Sequence, residues 1–143
     1  DEMFWAEKGQ GAFLNQRRLR VSGRRQMRDA LIATGMPFMG KGNDQGHQRY
    51  LRELGAVMGQ VAGVRRWGSA ALDLAYVAAG RFDGFWERHL SPWDVAAGIV
   101  LIREAGGYVT EIEGGANMLN AGSIVAGNDQ LHGALSQILR AAP

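Results

Sequence analysis

Two stretches of this chain combine a helix start with side chains suited to handling a phosphate group. Gly68-Ser69 opens an alanine-rich helix and Ser91-Pro92 opens another, each after a predicted strand. Free N–H groups and partial positive charge at helix N-termini bind phosphate-like anions. Two carboxylates lie between or beside them, Glu87 at a strand end and Asp94 in the first turn of the second helix. A phosphate site edged by carboxylates is typical for Mg²⁺, which prefers oxygen ligands.

Each of these features also has a purely structural interpretation. Asp94 can act only as a helix cap and dipole partner, a contribution of about 0.3–1 kcal/mol. Glu87 can mark a solvent-exposed strand end, and a Gly-Ser pair at a helix start is commonly no more than a cap. The residue types and their spacing leave both interpretations open.

The elements that would position these residues alternate between strand and helix. Apolar runs predict strands at 30–34, 64–67, 82–87, 108–112 and 123–126. Apolar spacing and capping residues predict helices at about 46–62, 70–79, 92–105 and 129–141, with a loop over 41–46. In open α/β sheets, ligands bind at the carboxyl ends of the strands, where such helices begin. The pattern therefore predicts the α/β fold class, with helices layered on a sheet.

Two further positions in these helices carry specific predictions. Leu51, Leu54, Met58 and Val61 follow helical spacing, with Val57 widening the apolar stripe, and predict an amphipathic first helix. Asp73 lies within the apolar second helix, and buried acids are normally hydrogen-bonded. We therefore expect Asp73 to be a buried, hydrogen-bonded carboxyl.

The composition indicates a globular protein and excludes several classes of site. The 143 residues are 46% hydrophobic and 21% charged, with a net charge of +2. The absence of cysteine excludes disulfides, thiolate catalysis and sulfur-ligated zinc, and fits a reducing cytoplasm. The apolar run at 96–102 is far shorter than a membrane span. The acidic first residues are unlike a secretory leader, so we expect none, and no membrane partner.

The first residues predict a β-hairpin with a glycine-containing turn, formed by the apolar runs 4–6 and 11–14. A lone hairpin is marginal in water and needs more sheet to pair with. We therefore expect this chain to be the C-terminal part of a longer protein. Residues 1–28 would be the last hairpin and strand of a truncated N-terminal α+β domain, and residues 29–143 a C-terminal α/β domain.

One long segment resembles the C-terminal signature of the inositol monophosphatase family. Residues 93–107 contain Trp-Asp, small residues, an apolar helix and then Glu-Ala-Gly-Gly, in the family's order. Residues 7–15 resemble its glycine-rich hairpin, 18–22 the strand after it, and 68–73 its substrate-contacting helix start. The resemblance covers nearly the whole chain and is nearest to bacterial members, including the extragenic-suppressor type. It implies the layered sandwich of the inositol monophosphatase and sugar phosphatases.

The resemblance implies a Mg²⁺-dependent hydrolase of a small phosphorylated polyol, inositol monophosphate, that is cytoplasmic and homodimeric. Asp94 matches the family's C-terminal metal-ligand aspartate, which also approaches the substrate and is therefore the expected catalytic residue. Glu87 matches the glutamate that hydrogen-bonds an inositol hydroxyl. Gly68, Ser69 and Ala70 match the substrate-contacting turn. The family's other metal ligands, an acidic Glu-Glu element and an Asp-Pro-x-Asp-Gly-Thr motif, do not occur in this sequence, so we expect the isolated chain to be inactive.

Two alternatives remain open beside this reading. A related phosphatase of the same fold would act on fructose 1,6-bisphosphate, histidinol phosphate or a phosphoadenosine nucleotide. A regulatory protein would bind RNA polymerase or RNA, as extragenic-suppressor members do. Six arginines between residues 17 and 28 favour the regulatory role, although a solvated face explains them equally, because no aromatic residues interleave for base stacking.

The three histidines, His47, His89 and His132, share no metal-ligand spacing. His89 lies between Glu87 and Asp94 in the sequence and would either contact the substrate or sit in a surface loop. No partner can be named for it from the sequence.

Overall fold

The computed structural model describes residues 1–38 and 43–142. Its strands are β1 (Phe4–Glu7), β2 (Gly11–Leu14), β3 (Arg17–Arg18), β4 (Leu31–Thr34), β5 (Gly63–Arg65), β6 (Gly84–Arg88), β7 (Tyr108–Thr110) and β8 (Ser123–Gly127). Its helices are α1 (Asp44–Met58), α2 (Ala70–Ala78), α3 (Pro92–Glu104), α4 (Met118–Ala121) and α5 (Asp129–Ala141). Strand and helix alternate from β4 onward, which confirms the α/β class. None of the helices in the described part of the chain is long and apolar enough to cross a membrane.

The main sheet has five strands in the order β5-β4-β6-β8-β7. β4 pairs in parallel with both β5 and β6, whereas β8 is antiparallel to β6 and β7. The carboxyl ends of β4, β5 and β6 therefore meet at one edge of the sheet. Because α2 follows β5 and α3 follows β6, both helices begin at this same edge, as the sequence predicts.

Helices cover both faces of the main sheet. On β4, Ile32 packs into the cluster formed with α1 and α5, whereas the next residue, Ala33, packs into the cluster formed with α2 and α3. On β6, Trp86 and Phe85 divide between the two clusters in the same way. Successive side chains of a strand point to opposite faces, so strands covered on both faces need near-continuous apolar runs.

The first three strands form a separate antiparallel sheet, in the order β1-β2-β3, that packs against α3. Glu104, the last residue of α3, fixes the turn between β1 and β2. Its two carboxylate oxygens accept hydrogen bonds from the N–H groups of Gly9 at 2.8 Å and Gly11 at 2.9 Å. The predicted hairpin is thus confirmed, whereas the division of the chain into domains at residue 28 stays a prediction.

Most predicted elements agree with the structure to within about two residues, and the first helix is the exception. α1 spans Asp44–Met58 instead of 46–62, and Asn43 caps it by accepting a hydrogen bond from the N–H of Gly46 at 2.9 Å. Residues 41 and 42 of the predicted loop lie outside the described residues. The short helix α4 and a 3-10 turn at Met27–Asp29 were not predicted, because neither carries a periodic apolar pattern.

The buried face of α1 agrees only in part with the predicted apolar stripe, of which Val57 is buried while Leu54 and Val61 pack against the core. Its fully buried residues are Tyr50, Glu53 and Val57. Leu51 and Met58 are more than half exposed. Glu53 is buried because it forms ion pairs with Arg49 at 3.2 Å and with Arg88 of β6 at 2.7 Å. Such pairing offsets the cost of burying a charge.

Candidate functional site

An open cavity of about 230 Å³, here called the cleft, lies at the edge where β4, β5 and β6 end. All five residues that the sequence predicts as site residues line it: Gly68, Ser69, Ala70, Glu87 and Asp94. They belong to three elements, the start of α2, strand β6 and the start of α3. The structure therefore brings together residues that are separated along the chain.

The start of α2 forms one wall of the cleft. Gly68 has a φ of +91°, a conformation that glycine adopts more readily than other residues. Ser69 is the N-cap, and its hydroxyl oxygen accepts a hydrogen bond from the N–H of Leu72 at 3.5 Å. The other N–H groups of the first turn have no partner within the helix. This end of α2 can therefore donate hydrogen bonds to an anion in the cleft.

Asp94 both caps α3 and lines the cleft, so the structural and the functional interpretation of this residue are compatible. Its Oδ2 accepts a hydrogen bond from the N–H of Ser91 at 2.9 Å, the reciprocal contact of a capping box. Pro92 occupies the first helical position, for which its fixed φ is suited. Asp94 is also half-buried and lines the cleft. The cap thus engages one carboxylate oxygen and fixes the direction of the side chain.

Glu87 is buried, with 9% of its surface accessible, so its interpretation as a solvent-exposed strand end is wrong. It lies near the carboxyl end of β6. The backbone of Gly35, directly after β4, packs on its carboxyl group. A Cβ atom on Gly35 would lie 1.8 Å from the Cδ atom of Glu87. Gly35 therefore leaves the space that the Glu87 carboxylate occupies.

Sequence reasoning missed the segment that follows β4. Gly35, Met36 and Phe38 line the cleft together with Trp93. Met36, Phe38 and Trp93 are exposed, Trp93 to 80%, and they form an apolar rim. The parallel pairing of β4 with β6 is the signal that would have found this segment, because neighbouring parallel strands end at the same edge.

Asp73, in α2, is buried as predicted, but the predicted hydrogen bonds are wrong. It is 1% exposed, and neither of its carboxylate oxygens has a hydrogen-bond partner among the described residues. Burial is the main cause that raises the pKa of Asp73 from 3.8 to about 7. The charge of Glu87 adds to this rise and the charge of Arg66 opposes it. Both of these groups line the cleft.

The side chains that the structure describes do not form a metal site by themselves. Among the described residues, no group of three or more His, Cys, Asp or Glu side chains is placed to hold an ion. In the cleft the described lining residues include two carboxylates, Asp94 and Glu87. Mg²⁺ gives up its waters reluctantly and needs several oxygen ligands. Further ligands would have to come from elsewhere for the cleft to hold this ion.

The histidines lie outside the cleft walls. His89 is exposed, has a φ of +59°, and lines two neighbouring pockets instead. His132 lies in α5, where its Nε2 atom is 3.0 Å from the hydroxyl oxygen of Thr110. Burial lowers the pKa of His132, and the charge of Arg140 adds to the effect. A structural role for His132 follows from these contacts.

A known protein family matches the chain over its full extent. The sequence profile of the inositol monophosphatase family matches residues 1–143. The inositol-1-monophosphatase of Rhizobium meliloti is 61% identical over 140 residues, which are 98% of this chain and 52% of the relative. The Nus factor SuhB of Escherichia coli is 51% identical over 131 residues, which are 92% of this chain and 48% of the relative. The chain thus spans about half the length of the curated relatives it matches.

Solved structures agree with these matches. The crystal structure of extragenic suppressor protein suhB from Bartonella henselae superposes with a TM-score of 0.94 at 54% identity, covering 100% of this chain and 54% of that chain. The structure of inositol monophosphatase from Anabaena superposes with a TM-score of 0.90 at 41% identity, covering 100% of this chain and 56% of that chain. The similarity therefore includes both sheets and the elements around the cleft.

Proposed function

The chain belongs to the inositol monophosphatase family, and from this premise we propose that it carries the substrate-facing half of an enzyme that hydrolyses inositol monophosphate. Three separate elements converge on one cleft with an anion-binding helix start and two carboxylates. This convergence is the observation that carries the proposal. The family is generally metal-dependent, and we propose Mg²⁺ as the metal, because the carboxylate of Asp94 is an oxygen ligand of the kind that Mg²⁺ prefers.

In this proposal, each residue of the cleft has its own role in binding the substrate. The first turn of α2, at Gly68, Ser69 and Ala70, donates N–H groups to the substrate. Glu87 accepts a hydrogen bond from a hydroxyl group of the polyol and so sets its orientation. Asp94 acts as the catalytic residue that approaches the phosphate and contributes one metal ligand. Because the part of the chain that the structure describes forms no group able to hold a metal ion, we expect the remaining ligands to come from outside these 143 residues.

A chimera tests this proposal directly. The part of the Rhizobium meliloti relative that lies outside the matched region would be fused to residues 1–143. We expect Mg²⁺-dependent release of phosphate from inositol 1-phosphate by the chimera and none by the isolated chain. We also propose a homodimer, which sedimentation of the chimera measures. We propose a cytoplasmic location, which the lack of cysteine supports and fractionation of cells measures.

Asp94→Asn in the chimera should lower turnover by orders of magnitude with little loss of stability. Asparagine can still accept the hydrogen bond from the N–H of Ser91, but it lacks the charge that holds a cation. Asp129→Asn is the matched control, because Asp129 is an exposed acid in the first turn of another helix. Unchanged turnover of Asp94→Asn at saturating Mg²⁺, or comparable turnover by the isolated chain, would contradict the assignment.

A second candidate function is binding to RNA or RNA polymerase. It is supported by relatives named Nus factor SuhB and by the arginines between residues 17 and 28, which are all exposed. Phosphate-backbone binding weakens steeply as salt rises, so RNA binding by the chain should show this dependence. Arg25→Ala should weaken it, whereas Arg52→Ala, on α1, serves as the control. Hydrolysis of fructose 1,6-bisphosphate, histidinol phosphate or a phosphoadenosine nucleotide is assayed in the same chimera.

A further inference from the structure

Asp73 is a buried acid for which the proposed function has no use. It lies one turn inside α2, directly behind the helix start that lines the cleft, and its N–H bonds to the carbonyl oxygen of Ser69 at 2.9 Å. It is 1% exposed, and neither carboxylate oxygen has a hydrogen-bond donor among the described residues. A buried carboxyl group without hydrogen-bond donors strongly prefers its neutral form.

The charged groups around Asp73 come from the walls of the cleft. Glu87 reaches it from β6, and Arg66 from the segment that precedes α2. β4 and β8, which also pack against α2, carry no titratable side chain, and α3 carries Asp94 in its first turn and Arg103 and Glu104 at its far end. Two neighbouring buried carboxyls cannot both ionise without repulsion. Phe85, two residues before Glu87 on β6, packs in the cluster formed with α2, so Glu87 lies on the face of the sheet that α2 covers. We therefore expect the titrations of Asp73 and Glu87 to be linked.

We propose that Asp73 is a positioning residue for Glu87: it holds the one proton that this carboxyl pair retains at neutral pH, which leaves Glu87 as the ionised member facing the cleft. Asp73 takes the proton because it is the more deeply buried of the two and no described residue donates to it. The proposal rests on the proposed function only in using Glu87 as the acceptor for a polyol hydroxyl. When Asp73 loses its proton at higher pH, repulsion disturbs Glu87 and the cleft loses its preference for a polyol.

Carboxyl ¹³C NMR of the whole chain tests the shared proton without any turnover. In the wild type, the titration of Asp73 should have its midpoint near neutral pH. Glu87→Gln should move this midpoint to lower pH, because the repelling charge is gone, whereas Glu7→Gln, at an exposed position of β1, should leave it in place. An Asp73 that titrates in the ordinary acidic range, or whose midpoint is the same in wild type and Glu87→Gln, would overturn the proposal.

Ligand binding tests the consequence for Glu87. The probes are inositol 1-phosphate and methyl phosphate, which are both monoesters and differ in the polyol hydroxyls. In the wild type, the preference for inositol 1-phosphate should fall about tenfold or more as pH rises through neutrality, since a hydrogen bond to a charged acceptor is lost. In Asp73→Asn, which mimics the neutral acid, the preference should persist at all pH values.

The two measurements separate the possible failures. A wild-type preference that is the same across the pH range, or that falls equally in Asp73→Asn, overturns the positioning role of Asp73. Equal binding of the two esters at every pH overturns the use of Glu87 in the proposed function, and the carboxyl titration still decides where the proton lies. If Asp73→Asn does not fold, Glu87→Gln keeps the NMR test decisive.

Discussion

Replacing Asp73 by asparagine should stabilise the protein by an amount that grows with pH. Folding raises the pKa of Asp73 from 3.8 to about 7, mainly through burial. An acid whose pKa rises on folding binds its proton more tightly in the folded state, so the free energy of unfolding falls as pH rises between these two values. Asparagine has no proton to lose and escapes this penalty. Below the lower value both residues are neutral, and the variant should have no advantage.

The size of the effect follows from the pKa values. Each pKa unit corresponds to about 1.4 kcal/mol, so the rise on folding corresponds to a penalty of about 4 kcal/mol at alkaline pH. This value is a ceiling, because side chains and water relax around a buried charge. Between about pH 5 and about pH 8 the advantage of Asp73→Asn should grow by about 2–3 kcal/mol. A single domain is stable by only about 5–15 kcal/mol in total, so the difference is readily measured.

Urea unfolding at a series of pH values measures this difference, with the free energy of unfolding extrapolated linearly to water. Asp29→Asn controls for the loss of one negative charge, because the Asp29 side chain is 60% exposed. The reasoning is refuted if the stabilities of wild type and Asp73→Asn change in parallel with pH. A variant that is less stable than the wild type at alkaline pH would show that Asp73 has a partner that asparagine cannot satisfy.

Three further substitutions probe the walls of the cleft and the hairpin. Glu87→Gln should weaken turnover of inositol 1-phosphate in the chimera more than turnover of an aryl phosphate, by about 1.5–3 kcal/mol. The control Glu7→Gln should affect neither turnover. An equal loss on both substrates would show that Glu87 acts on the fold. Gly35→Ala should reproduce the Glu87→Gln selectivity change, because its Cβ atom would displace the Glu87 carboxylate, and unaltered selectivity would contradict the packing. Hydrogen bonds from the hairpin turn at 9–11 hold the pKa of Glu104 below its ordinary range. The protection of the turn amides from hydrogen exchange should therefore be lost as pH falls through that lowered pKa. In Glu104→Gln, the turn amides should lose this protection already at neutral pH.

Local signals were sufficient to predict the helices that flank the cleft. Ser69 and Ser91 are N-cap residues, and each helix ends near a glycine. These signals act within a few residues and do not depend on the rest of the fold. The burial of Glu53 in α1 was missed for the opposite reason: it forms an ion pair with Arg88, which lies 35 residues away in the sequence. Hydrophobic spacing contains no information about such a partner.

The same distinction applies to the cleft. Asp94 and the α2 start were recognisable because a helix N-terminus and a family signature mark them in the sequence. Gly35 matters only because β4 and β6 are neighbours, which places its backbone against the Glu87 carboxyl. Asp73 was expected to be hydrogen-bonded, since buried acids usually are, and only the folded arrangement reveals that no described group bonds to it.

The charges around the cleft indicate that the proton on Asp73 also affects how the cleft binds a phosphate group. A phosphate dianion beside α2 is repelled by Glu87 and Asp94, and attracted by Arg66 and by two helix N-termini that each act as about half a positive charge. Among the residues that the structure describes, these fixed charges nearly cancel when Asp73 is neutral, so the excess negative charge is that of the phosphate itself. A divalent cation would offset this excess, which supports the metal dependence that we propose for the cleft. An ionised Asp73 would add a further negative charge behind Glu87, and the attraction of the cleft for a phosphate monoester should weaken.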